Sequence, residues 1–275
     1  MEHLPAAGKP GSTPRPGCAS RRAAGILLLA ILVPCCTKGA PGILYPSTHF
    51  LLCTEEQPAA ARTLEAEARD FLHQAGEYLQ LPPPPGGLLR IYHFRRRINL
   101  WRHLNGSAPD LRWRKAACYE TPECYVIALS GRPSSTRFQK NLRHELSHYL
   151  LAAHFSSMPP WLDEGLGEVI ASGPPFPRHG PGRARTAHPE TTRDDPGACL
   201  DLMRLQPGTL LDPAQYRLSR DLVRFLLQHS EDAVQRLHCY LEAARPATSP
   251  EQDFFPCWGL SMEEACLAAL PWAGP

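Results

Sequence analysis

The sequence predicts an α+β fold. A small mixed sheet with one packed helix leads into a helix carrying His144 and His148, and a mainly helical part follows. Three observations predict this. Short runs rich in β-branched and aromatic residues lie before residue 131, the strongest being CYVIALS at 124–130. From about Arg137 onward apolar residues recur at three- and four-residue steps. The chain has 275 residues, 43% hydrophobic and 20% charged, which suffices for one sizeable core and excludes global disorder. The formal charge of +2 leaves no global field to hold nucleic acid, and no nucleic-acid partner is expected.

Taken in order, residues 1–40 read as an export leader. Arg21 and Arg22 precede an apolar run from Ala23 to Val33, then Pro34, Cys35 and Cys36. A basic flank with an apolar run of this length is the pattern of a secretory signal, and it is shorter than the roughly 20 residues a membrane span needs. The expected location is therefore outside the cytosol: periplasmic, cell-surface or secreted. Leu32-Val33-Pro34-Cys35 also resembles a lipoprotein box, so a lipid anchor at Cys35 or Cys36, or an uncleaved leader, is the alternative route to a membrane. One domain is expected over 41–275.

Within it, 43–53 is a candidate first strand. Residues 59–79 form a candidate helix, with Leu64, Ala68, Phe71, Leu72, Ala75 and Leu79 on one stripe. Pro82 to Pro85 and Gly86-Gly87 end it. Residues 88–94 read as a strand. The stretch 95–115 is basic, with Trp101 and Trp113 interleaved. It is read as a solvated surface with Arg stems packed on Trp, rather than as a patch for nucleic acid or anionic lipid. Ser134 to Thr136 can cap a helix from about Arg137, and a further helix follows Pro159-Pro160. Residues 173–196, rich in Pro, Gly, Arg and Thr, read as a long exposed loop. Helices are expected at about 213–228, 231–244 and 261–270.

Beyond the leader there are seven cysteines with no CxxC pattern, so disulfides in an oxidising compartment are expected over a Cys-based metal site. Cys118 and Cys124 flank a turn-like stretch and form the best local pair. One thiol is left over or pairs with another chain. The competing reading is that several are small buried apolar residues.

The chemistry lies at 144–168. His144-Glu145-Leu146-Ser147-His148 is an HExxH motif. Residues four apart on a helix share a face, so both imidazoles can reach one Zn²⁺, with Glu145 beside them to take a proton from a bound water. The stripe Phe138, Leu142, Leu146, Tyr149, Leu150 and Ala153 lies well away from the His pair, leaving that edge to a cleft. The motif alone is also met by helices with two surface histidines. The next segment, Pro160-Trp161-Leu162-Asp163-Glu164-Gly165-Leu166-Gly167-Glu168, changes the weight. Leu162, Leu166, Val169 and Ile170 form its core stripe; Glu164 and Glu168 sit opposite, flanked by Gly165 and Gly167.

The HELSH…PPWLDEGLGE block resembles the gluzincin zinc metallopeptidases, specifically the peptidase-MA-like group of predicted secreted proteases. The resemblance implies a zincin-like fold and one Zn²⁺ per chain held by His144, His148 and Glu164. It implies Glu145 as general base and Glu168 as the carboxylate orienting the first ligand histidine. It places 124–130 where such enzymes carry the edge strand that binds an extended peptide. Tyr216-Arg217-Leu218-Ser219-Arg220-Asp221-Leu222-Val223 resembles a helix found downstream in that group, which makes Tyr216 a candidate oxyanion donor. His179 and His188 in the 173–196 loop are alternative donors for that role, against the reading that they are solvent-exposed bystanders.

The third-His pattern of metzincins is missing: Leu151 stands where its Gly belongs. No G-x-M-E-N segment supports an aminopeptidase, and the expectation is an endopeptidase acting on peptide or protein substrates. Rival readings are a catalytically inactive protease-like binding module on the cell surface, and a structural site closed by His154. The latter residue lies about 240° further round the helix than His148 and points away.

Overall fold

The computed structural model describes residues 43–47, 50–84, 89–174, 176, 196–243 and 250–269. The chain divides into units 1–35 and 36–275, and all described residues belong to the second. The leader and nearly all of 173–196, with His179 and His188, lie outside the described residues.

The sheet is built from β1 (Ile43–Pro46), β2 (Leu51–Thr54), β3 (Leu89–Phe94), β4 (Ala116–Glu120) and β5 (Tyr125–Ser130), in the order β1-β2-β3-β5-β4. β2, β3 and β5 are parallel; β1 and β4 flank them antiparallel, so the sheet is mixed. The expected first strand is thus a hairpin of two. β5 is not the edge strand: it lies between β3 and β4. The chain turns at 121–124, where Thr121 accepts from the Cys124 amide, and folds the unforeseen β4 outside it.

Period-2 alternation puts Ile91, Ile127 and Leu129 against α1 (Pro58–Tyr78) and α3 (Thr136–Ala152). On the other face Tyr92 and Phe94 pack on the His103 ring of α2 (Arg97–Ser107), at centroid distances of 4.8 and 5.2 Å. α2 was hidden in the basic stretch because only Leu100, His103 and Leu104 are buried on it. His93 is buried under the sheet's carboxyl end. Its Nε2–H donates to the Gly131 carbonyl at 2.8 Å, and its Nδ1 accepts from the Thr54 hydroxyl at 2.8 Å.

α3 starts where the sequence predicts, with Ser135 capping the Phe138 amide. Its buried stripe matches, except that Leu151 rather than Ala153 completes it. α4 (Pro160–Ile170) buries Leu162, Leu166, Val169 and Ile170 as expected. It packs against α3 and α6 (Pro213–His229), the latter opened by an Asp212/Gln215 capping box. α5 (Pro196–Met203), α7 (Ala233–Ala243), α8 (Pro250–Trp258) and α9 (Met262–Ala269) complete the helical part. α5 and α8 were not foreseen.

Two disulfides tie this part together. Cys199–Cys266 joins α5 to α9, and Cys239–Cys257 joins α7 to α8, with Cα separations of 5.8 and 5.6 Å. The expected Cys118–Cys124 pair does not form; both thiols are free. The hairpin register pairs Cys118 with Ile127, three residues along the strand from Cys124. At about 3.3 Å per residue that offset exceeds what a disulfide bridges.

Candidate metal centre

His144 and His148 stand one turn apart on α3, their rings at 88° with centroids 4.6 Å apart. α4 brings Glu164 to both. The three nearest donor atoms form a small triangle. His144 Nε2 lies 3.1 Å from His148 Nε2 and 3.2 Å from Glu164 Oε2, and His148 Nε2 lies 3.4 Å from that oxygen. All three atoms carry lone pairs, so something positive must lie among them. Burial opposes charge on His148, yet Asp163 and Glu164 push it well above the usual histidine range. Burial likewise opposes charge on Glu164, yet the two imidazoles hold it well below the usual carboxylate range.

The fit to a metal ion is metric. A tetrahedral ion with bonds of about 2.0–2.1 Å spaces its ligands by about 3.3 Å. Glu164 Oε2 is buried with no hydrogen-bond donor. The group could therefore hold a metal ion, and among the described residues it is the only such His, Cys and carboxylate cluster.

Partners of these residues come from α3, α4, α6 and the segment before β4. The His148 Nδ1–H donates to Asp163 Oδ1 at 2.8 Å, leaving Nε2 free to ligate. Asp163 was missed by sequence reasoning, although it stands next to Glu164 and one turn ahead of Gly167. Glu168 faces His144 Nδ1 at 3.6 Å, beyond a hydrogen bond, and accepts from Lys140 Nζ at 2.8 Å. Tyr216, at the start of α6, donates its hydroxyl to Glu164 Oε1 at 2.8 Å, and Arg114 reaches the same hydroxyl at 3.4 Å. Burial, and then the Glu164 carboxylate, raise the Tyr216 phenol far above its ordinary value, so it keeps its proton.

Glu145 is buried at the cleft wall, and burial pushes its carboxyl up, while the Cys118 backbone hydrogen-bonds it. The Cys118 thiol is pushed well up by burial and by Glu145 and Asp163. It stays protonated and is no nucleophile. His154 lies away from the triangle, near Pro82 and His238.

Two glycines hold the helices at this spacing. A Cβ on Gly165 would meet Ser219 O of α6 at 2.6 Å, and one on Gly167 would meet His144 Cε1 at 3.0 Å. The triangle opens into a cleft of about 420 Å³, in the range of ligand pockets. β4 forms one wall from Ala116 to Glu120; α3 and α4 form the floor; Leu210 and Tyr216 close the far side. No protein-family model matches the chain, and no curated protein matches it significantly.

Proposed function

We propose that the chain is a zinc-dependent metallopeptidase of the gluzincin type, an exported endopeptidase with a zincin-like fold. The observation that carries this reading is the His144–His148–Glu164 triangle with the buried Glu145 beside it, opening on a cleft walled by an edge strand. Bound zinc would supply a Lewis acid for the scissile carbonyl and an activated water near neutral pH.

The chain's own residues do the rest. β4 exposes the outer edge of the sheet along the cleft, and an extended peptide can add to it by main-chain hydrogen bonds. Glu145, its carboxyl raised by burial, takes the proton of the attacking water and passes it to the leaving amine. Tyr216 keeps a phenol proton at the cleft wall, where it can donate to the developing oxyanion. Asp163 holds His148 in the tautomer that ligates. The two disulfides suit an oxidising compartment and support export.

The test is metal content by elemental mass spectrometry and hydrolysis of a peptide library, for wild type, Glu164→Ala and Glu145→Gln. We expect about one zinc per chain, lost in Glu164→Ala and kept in Glu145→Gln, with hydrolysis abolished in both. Zinc without turnover in the wild type points to the binding-module reading; no zinc in a folded wild type removes the metal site.

A further inference from the structure

The basic stretch after β3 acquires a different meaning once folded. β2, β3 and β5 are parallel and end together at Thr54, Phe94 and Ser130. β2 leaves that end through Glu55 and Glu56, whereas the segments after β3 and β5 are basic. Arg95, Arg96, Arg102 and Arg132 line one depression there, and Arg95, Arg97, Lys115 and Arg137 line its neighbour. Only two carboxylates, Glu55 and Glu56, share these walls. Glu55 is engaged with the Arg95 amide and Asn99, and Glu56 lies 3.6 Å from Arg95 Nε. Among the described residues no carboxylate lies in ion-pair range of Arg96, Arg102, Lys115, Arg132 or Arg137, and all five are exposed.

Apolar side chains stand among these charges. Ile98, in the first depression, is 49% exposed. Trp113 is 68% exposed, and its carbonyl is drawn to this end by Arg97 Nη2 at 3.3 Å. Leu44, 44% exposed, sits in β1 one residue from the Ile43–Thr54 pairing. Half of the exposed large apolar side chains of the described residues thus lie at one end of one sheet.

We propose that this carboxyl end of the parallel sheet docks on an anionic phospholipid surface, with the arginines on the headgroups and Ile98, Trp113 and Leu44 at the interface. Basic residues interleaved with an exposed Trp and aliphatics are what such a surface recognises. A nucleic acid would use the charge but not the aliphatics. The leader's eleven apolar residues are too few to span a bilayer, and stable attachment needs a second signal, which this face provides. Docking there is independent of whether the metal centre is catalytic.

The experiment is flotation of the full chain with phosphatidylcholine vesicles and with vesicles containing about one quarter phosphatidylglycerol. Each basic residue at an anionic surface is worth about fivefold in partition. The triple variant Arg96→Gln/Arg102→Gln/Arg132→Gln should lower the anionic-to-neutral binding ratio on the order of a hundredfold at low salt. Arg69→Gln/Arg204→Gln/Arg224→Gln, on the helical side, should leave the ratio alone. Ile98→Ser/Trp113→Ser should weaken binding to both vesicles and preserve the ratio. The first three arginines are exposed, so an unchanged melting temperature verifies the fold. An equal loss in both triple variants overturns the proposal. So does a wild type that prefers duplex DNA to anionic vesicles at equal salt.

Discussion

At the scale of single residues, the candidate site is a problem of three lone pairs meeting within 3.4 Å. That arrangement needs a positive charge among them, and Asp163, by accepting the His148 Nδ1–H, leaves Nε2 facing the other two. Removing the negative charge while keeping the shape, in Asp163→Asn, should weaken metal affinity by about 10–100-fold in a chelator competition. Glu168→Gln should cost less, because Glu168 stands 3.6 Å from His144 and is shared with Lys140. Equal losses would show that the two carboxylates are interchangeable. Tyr216→Phe removes the donor to Glu164 Oε1 but no ligand atom. It should keep the metal and lower kcat by about 10–1,000-fold with KM little changed. Loss of metal instead would make Tyr216 a support for Glu164 only.

Elements place these residues, and two glycines decide how closely. Gly165→Ala pushes a methyl into the Ser219 carbonyl and the Val223 side chain of α6 and should cost at least about 1–3 kcal/mol in denaturant unfolding. Gly167→Ala meets only the His144 and His148 rings. It should spare stability more than metal affinity, and the reverse order would contradict this packing. The sheet carries its own titration. Burial lowers His93 below its ordinary value of 6.5, and burial does the same to His103. Both are neutral when folded, so the unfolded chain binds more protons below 6.5. Stability is full above that pH and falls as pH drops below it. His93→Gln should flatten the slope of unfolding free energy between pH 7 and 5. An unchanged slope would place the acid sensitivity elsewhere.

For the whole molecule, the disulfides close the helical part, whose short helices could not hold one another by propensity alone. Cys199–Cys266 spans 67 residues and Cys239–Cys257 spans 18. Chain entropy values them at about 4 and about 3 kcal/mol. Reduction should lower the melting temperature of a protein whose candidate metal site, on α3 and α4, lies outside both loops. Alkylation of the unfolded, unreduced chain should label Cys53, Cys118 and Cys124 and leave Cys199, Cys239, Cys257 and Cys266 untouched; labelling of the last four would refute the pairing. Among the described residues no helix is long and apolar enough to cross a membrane.

The sequence by itself determined the elements whose pattern is local. The stripe of α3, its Ser135 cap and the spacing that sets His144 and His148 on one face follow from a 3.6-residue period over a few turns. The same holds for α4, and β5 follows from its short run of β-branched and aromatic residues. Only the tertiary structure decided what depends on register and on non-local packing. β4 is short, half-exposed and basic on its approach, so nothing local marks it as the edge strand; its pairing with β5 does. Disulfide partners are fixed by Cα separations across helices far apart in sequence, and local spacing chose the wrong pair. Asp163 acquires a role only because α4 is laid against α3, where its carboxylate meets His148 Nδ1. The arginines after β3 read as a solvated surface until three parallel strands ended side by side and gathered them onto one face.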